Sequence, residues 1–404
     1  MKLSKKTIED FILFLIVFGI ILNTSLNVFG YPIKAGIIVG ISSLFYLNKS
    51  DLSLINKLGV FYIISLLLLS IFLIRATFFN HEIRQFLGIF INFLLFTVIS
   101  ISLSKFYSIE KFLKYFVWVI MINSIILILE FFIPSLKLFL ESILYQNPFG
   151  NIDYGNHPFR LRGLAQGGGA ALGLVHVICL LMITHLRKFD YAYLIGTSFI
   201  FLSTLFISRS SLIVGFFIYT YYIVNYLHQN RNNIILVSIP FILFASVVIL
   251  AQIFFTGNLF NIEWFFWIFD WTESYFETGV LSFDNSSTEQ LLSETKFDFN
   301  LISFLIGNGF YSGSSSWLLQ SDSGYWRMMN AVGIGSLLYY LLSIKAIIKY
   351  LPFSRLTCFL FISIFLLFEF KEPFFIQNYA SRLLYLLLII GWRLSFNNRF
   401  IRTP

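Results

Sequence analysis

Charge is scarce in this chain. Only 12% of its 404 residues are Asp, Glu, Lys or Arg, while 58% are hydrophobic. A soluble domain carries about 25% charged residues, so this composition excludes an ordinary soluble fold and points to a polytopic membrane protein. Cysteine is nearly absent. Cys179 and Cys358 both lie in apolar segments, so no disulfide framework exists and both read as inert core residues. Histidine numbers five, with no cysteine beside the two expected on the outer side, His81 and His157, which argues against a zinc site. No D-x-D pair is present to hold a metal-bound nucleotide sugar, and no G-x-S-x-G supports a serine hydrolase. The net charge of +8 could suit nucleic acid, but the basic residues sit in short clusters between apolar runs, which is the pattern of membrane orientation signals. Nucleic acid is therefore not an expected partner.

What is abundant is apolar length. A crossing helix takes about 20 residues, and about twelve such runs are expected, over 8–29, 33–47, 58–77, 83–103, 112–133, 168–185, 191–207, 211–227, 233–254, 324–348, 356–370 and 377–394. The first, behind Lys2, Lys5 and Lys6, has no small-residue cleavage site and reads as an uncleaved helix. With both termini on the cytoplasmic side, the inner loops collect 17 of the 28 Lys and Arg residues, in accord with the positive-inside rule. The fold class expected is an all-α, multi-pass membrane protein whose partner is the bilayer itself.

Two outer loops are long. Residues 134–167 hold an amphipathic piece, "SLKLFLESILYQ", then turn-rich "NPFGNIDYGNHPFRLRG". Residues 255–323 carry nine carboxylates and one lysine and are the one segment large enough for a small subdomain.

The basic residues left outside are the unusual ones. Arg75, Arg84, Arg160, Arg162, Arg209, Arg327, Lys371 and Arg382 lie at or just within the outer ends of helices. Several facing lipid together would cost upwards of ~15 kcal/mol, more than a typical folding stability, so they are expected to line a protein or water-filled cavity. A planar guanidinium binds phosphate through two parallel hydrogen bonds and stays charged at any relevant pH. Snorkelling to the interface is the competing account for Arg75 and Arg327.

Three strings could carry chemistry. "GGGAALG" after Arg162 lacks the lysine of a phosphate loop; it reads as close helix packing, or as a helix start that lets backbone N–H groups approach an anion. "SRSSLIVG" sets Arg209 among hydroxyls that either cap a helix or share an anion. "GNGFYSGSSSWLLQSDSGYWRMMNAVGIG" ends its turns at Asp322, either a helix cap or a base at a cavity edge.

In order, "IRQFLGIFINFLLF", "RLRGLAQGGGAALG", "ISRSSLIVG" and "GNGFYSGSSSWLLQSDSGYWRMMNAVGIGSLLYYL" resemble the motifs of the Wzy-type O-antigen and capsular polysaccharide polymerases, which are related to the O-antigen ligases. The resemblance runs from about Arg75 to Leu342. Ligases carry a functional histidine in the large outer loop, and residues 255–323 have none, which favours a polymerase. "NSSTEQLLSETK" also departs from the family by lacking an arginine ahead of the G-x-G.

The resemblance implies a GT-C-like glycosyltransferase in the bacterial inner membrane. It would move a growing glycan from undecaprenyl diphosphate to the terminal sugar of a lipid-linked repeat unit, alongside a chain-length regulator and a flippase. Arg160, Arg162, Arg209 and Arg84 would hold the diphosphate. Asp322, His157 or Asp153 would accept the acceptor's proton, and Trp264, Trp317 and Tyr325 would stack on sugars. A lipid-linked oligosaccharide flippase is the rival from another class, but transporters usually show two related halves, which this sequence lacks. No cofactor or metal is expected, because arginines can neutralise a diphosphate leaving group. Polymerisation is accordingly expected to persist in EDTA; loss of activity that Mg²⁺ or Mn²⁺ restores would refute this.

Overall fold

The computed structural model describes residues 5–45, 47, 65–71, 74, 83–145, 161–184, 186, 191–229, 301–308, 323–371, 374 and 379–401. The expected apolar runs 58–77 (in large part) and 233–254 and nearly all of the loop 255–323 lie outside them. The described chain is mainly helical, with one two-stranded hairpin. It divides into two units, Met1–Ile37 with Glu110–Phe283 and Ile38–Ile109 with Asp284–Pro404.

The first unit opens with α1, Lys5–Ile21. The expected run 8–29 does not continue as helix. It stops where polar Asn23, Thr24 and Ser25 begin, and Asn23 takes a left-handed φ of 47°. There the chain forms β1 (Ser25–Val28) and β2 (Tyr31–Lys34), paired antiparallel with Val28 opposite Tyr31. The two-residue turn Phe29–Gly30 has positive φ at both positions, as the hand of a tight hairpin requires, and the Asn27 side chain accepts from the Gly30 N–H at 3.0 Å. The described chain is otherwise helical, in keeping with the all-α expectation, and this short hairpin is an addition to it. An apolar composition conceals it, since Val, Phe, Tyr and Ile suit strand and membrane helix alike.

Helix α2, Ala35–Leu44, follows and crosses the boundary between the units. Numbering α3 (Ile83–Leu103) for the second unit, the first unit resumes with α4, Ile109–Phe132. At 24 residues α4 is the one described helix long and apolar enough to cross a membrane; Ala35–Leu44, Asn92–Leu103, Gly169–Ile183, Tyr193–Phe206 and Arg209–Val224 are shorter apolar helices. Asp10 of α1 accepts from the Tyr115 hydroxyl of α4 at 2.9 Å and pairs with Lys111 at 2.8 Å. Pro134 opens α5, Pro134–Ile143, a position where its missing N–H costs nothing.

Helix α6, Gly169–Ile183, is buried at every residue from Ala170 to Ile183, as a helix apolar all round must be. It packs on α7 (Tyr191–Ser203), which a 3₁₀ turn (Thr204–Phe206) joins to α8, Arg209–Gln229.

In the second unit α3 packs along a helix near the C-terminus, α13, Tyr379–Ile401. Phe93 meets Tyr385 edge to face at 5.4 Å, Asn92 accepts from Arg382 at 3.0 Å, and Arg393 donates to Ser104 at 3.1 Å. Residue numbers rise together on both, so the helices run parallel. Between them in sequence come α9 (Leu301–Ile306), α10 (Gly324–Val332), α11 (Gly335–Tyr350) and α12 (Arg355–Glu369). The expected run 324–348 is therefore broken. Gly333 adopts φ +61°, and the Ile334 N–H donates to the Phe304 carbonyl of α9 at 2.8 Å. A residue other than glycine is strained at that φ.

Within this unit Gly391 of α13 lies against the Tyr350 backbone carbonyl that ends α11, so closely that a Cβ would collide with it. Gly391→Ala is expected to lower the thermal midpoint, at a cost of about 1–3 kcal/mol from overpacking, although alanine is the better helix former. A raised midpoint in a melting experiment on the detergent-purified protein would show that the two helices separate freely.

Candidate functional site: the arginine loop of the first unit

The segment 161–168 runs between α5 and α6 and carries "LRGLAQGG". Little of it is held by its own backbone; side chains from several elements hold it instead. Arg162 is 2% exposed. Its Nε donates to Glu141 Oε1 of α5 at 2.9 Å, and its Nη2 pairs with Glu141 Oε2. Its Nη1 donates to the carbonyls of Tyr145 and Gln166, at 3.2 and 3.1 Å. Those bonds occupy at least four of the five N–H donors a guanidinium owns.

The next two residues are fixed from α4. The Gly163 N–H donates to Glu130 Oε2 at 3.0 Å, and the Leu164 N–H donates to Asn123 Oδ1 at 2.8 Å. Gly163 has φ +57°, and a Cβ there would come within 2.5 Å of Asn123 Oδ1, so glycine is required twice over. From the other side Thr24 donates to the Leu164 carbonyl at 2.7 Å, the Gln166 N–H donates to the Leu22 carbonyl at 2.9 Å, and the Asn23 amide donates to the Gln166 side chain.

Arg209 opens α8, half-buried. Its neighbour Ser208 caps that helix, accepting from the Ser211 N–H at 3.2 Å, so the hydroxyl run has a structural role. The two arginine-bearing segments meet through backbone: the Leu161 N–H donates to the Phe206 carbonyl at 3.0 Å. The small-residue run splits between two tasks. Gly169, at φ +69°, has open space where a Cβ would stand, whereas Gly173 faces Ser211 closely enough that a Cβ would sit 2.6 Å from its side chain. Close packing of α6 on α8 accounts for the second part of "GGGAALG".

Two more of the residues expected from sequence belong to the second unit. Arg84 lies in the first turn of α3, in the second unit. Tyr325 lies there too, on α10; its hydroxyl donates to the Leu366 carbonyl of α12 at 2.6 Å and its ring meets Tyr340 edge to face. Asp153, His157, Arg160, Trp264, Trp317 and Asp322 lie outside the described residues. Among the described residues no group of three His, Cys, Asp or Glu is placed to hold a metal.

Glu130, Asn123 and Glu141 do not stand out in a reading centred on arginines. One signal was available for the first: a carboxylate inside an apolar helix is rare and calls for a partner by default.

The Arg162–Glu141 pair is expected to behave as a unit. Arg162→Met or Glu141→Leu alone strands a buried charge, at about 3–5 kcal/mol each, whereas the double variant strands none. Thermal unfolding of the two single variants and the double one forms a cycle. Additive losses would mean that the two side chains do not depend on each other.

Comparison with family models, curated proteins and solved structures finds no match.

Proposed function

We propose that the chain is a multi-pass polysaccharide polymerase of the bacterial cytoplasmic membrane, with about twelve spans and both termini inside. It transfers a growing glycan from undecaprenyl diphosphate to the terminal sugar of a lipid-linked repeat unit at the outer face. The observation that carries this reading is the backbone bond from Leu161 to Phe206, which brings the segment carrying Arg162 to the segment that leads into Arg209, within one unit.

The chemistry suits arginine. A diphosphate is a good leaving group once its charge is met, and preorganised guanidinium groups meet it without a metal. In this reading Arg209 and Arg160 contact the diphosphate. Arg162, engaged by Glu141, positions the loop that presents its neighbours. His157 or Asp153 takes the proton from the acceptor hydroxyl, and Trp264 supplies a flat face for a sugar ring. The histidine-free segment 255–323 separates this reading from the ligases.

Incubating purified protein with a lipid-linked repeat unit alone, without nucleotide, tests the proposal: a ladder of lengthened glycans is expected. Arg209→Lys keeps the charge but loses the fork, and is expected to slow chain growth about a hundredfold, the equivalent of ~3 kcal/mol. Unchanged ladders from Arg209→Lys at matched expression would remove Arg209 from the diphosphate site, and no lengthening by the unsubstituted protein would remove the polymerase reading.

A further inference from the structure

Helix α5 is amphipathic in the reverse sense to a helix that covers a protein core. None of its residues is buried. Its exposed stripe is Ser135, Leu138, Phe139, Ser142 and Ile143, at the i, i+3, i+4, i+7, i+8 spacing of one helical face. Leu138 is 64% exposed, Phe139 59% and Ile143 38%. Its acidic residue turns the other way, the Glu141 side chain being only 7% exposed in its pair with Arg162. Charge faces the protein and apolar surface faces out, which water disfavours and lipid favours.

We infer that this face of α5 seats in the bilayer, at the boundary between head groups and acyl chains. The inference rests on the reading that α4 crosses the membrane. Three observations select lipid as the occupant. First, α5 begins at Pro134, directly after α4 ends at Phe132, so its start stands where the apolar span runs out. Second, exposed apolar residues continue from Ile133, just past α4, down Leu129, Ile125 and Trp118 of that helix, each between 37% and 42% exposed. Third, the other end of α5 joins the hairpin, where Leu144 pairs with Leu26 and the Tyr145 N–H donates to the Ser25 carbonyl at 2.8 Å. That hairpin presents Phe29, 97% exposed, and Tyr31, 75% exposed, and exposed aromatics collect at membrane–water boundaries. The serines of the exposed stripe suit the boundary better than the hydrocarbon centre. A lipid-seated α5 holds Glu141 in place, and through it the arginine loop.

The test uses the full chain with single added cysteines, Leu138→Cys, Phe139→Cys, Ile143→Cys and, on α4, Ile125→Cys. Each is labelled with an environment-sensitive fluorophore and reconstituted in phosphatidylcholine–phosphatidylglycerol vesicles. Native Cys179 and Cys358 are buried, and the labelled unsubstituted chain measures their background. Vesicles carry a spin-label quencher either near the head group or near the chain end. On α5 the head-group quencher is expected to act about twofold more strongly than the chain-end one, as for a helix lying in the boundary, with the order reversed at Ile125→Cys. Unquenched α5 probes beside a quenched Ile125→Cys would overturn the lipid seat while leaving the span intact. Unquenched probes on both helices would overturn the two together. Strongest quenching of α5 from the chain end would place it in the hydrocarbon and overturn the boundary position.

Discussion

A guanidinium shut away from water must find acceptors on every side, and Arg162 finds them in Glu141, Tyr145 and Gln166. Much of the first unit's irregular backbone follows from that demand. Glu141 reaches the arginine from α5, and the Gln166 carbonyl reaches it from four residues further on, past the left-handed Gly163. Asn123 and Glu130 then hold the turned backbone through the N–H groups of Leu164 and Gly163. Burying an ion pair gains little stability against an apolar replacement of equal shape, but losing one partner is costly. The arrangement therefore specifies one conformation of residues 161–168 more than it strengthens the fold.

This bears on how the arginines divide their work. A side chain whose donors are filled by carboxylate and carbonyls is a fixed support, and what it fixes is the direction of the residues beside it. Arg209 sits three residues beyond Phe206, whose carbonyl receives the Leu161 N–H. In the proposed function, an Arg209 carried on a backbone braced in this way would meet developing charge without reorganisation.

Helical segments were legible wherever apolar residues ran on without polar interruption. The run expected at 83–103 is helical from Ile83 to Leu103, that at 112–133 from Ile109 to Phe132, and that at 168–185 from Gly169 to Ile183. Three features were not legible, each for a physical reason. The hairpin at Ser25–Lys34 uses residues equally at home in a span, so hydropathy averages across it. The break at Gly333 depends on Phe304, far away in sequence, offering a carbonyl to Ile334. The partner of Arg162 lies 21 residues earlier in a helix whose apolar side draws attention away from its single glutamate. Periodicity reports what a segment buries, and it is silent about which polar groups meet.

The parallel pairing of α3 with α13 sets an order of events for the chain as it is made. Asn92 and Arg382, which bond across that pair, are 290 residues apart. At typical synthesis rates that separation is roughly 15 to 60 seconds. During that interval α3 presents Asn92, Ser104 and Phe93 with no sign of the helix that completes them. Contacts so distant in sequence carry a large loop-closure cost and form slowly. The second unit thus stays open along one side until α13 has been made, and a chain truncated before α13 leaves that side of α3 exposed to chaperones and proteases.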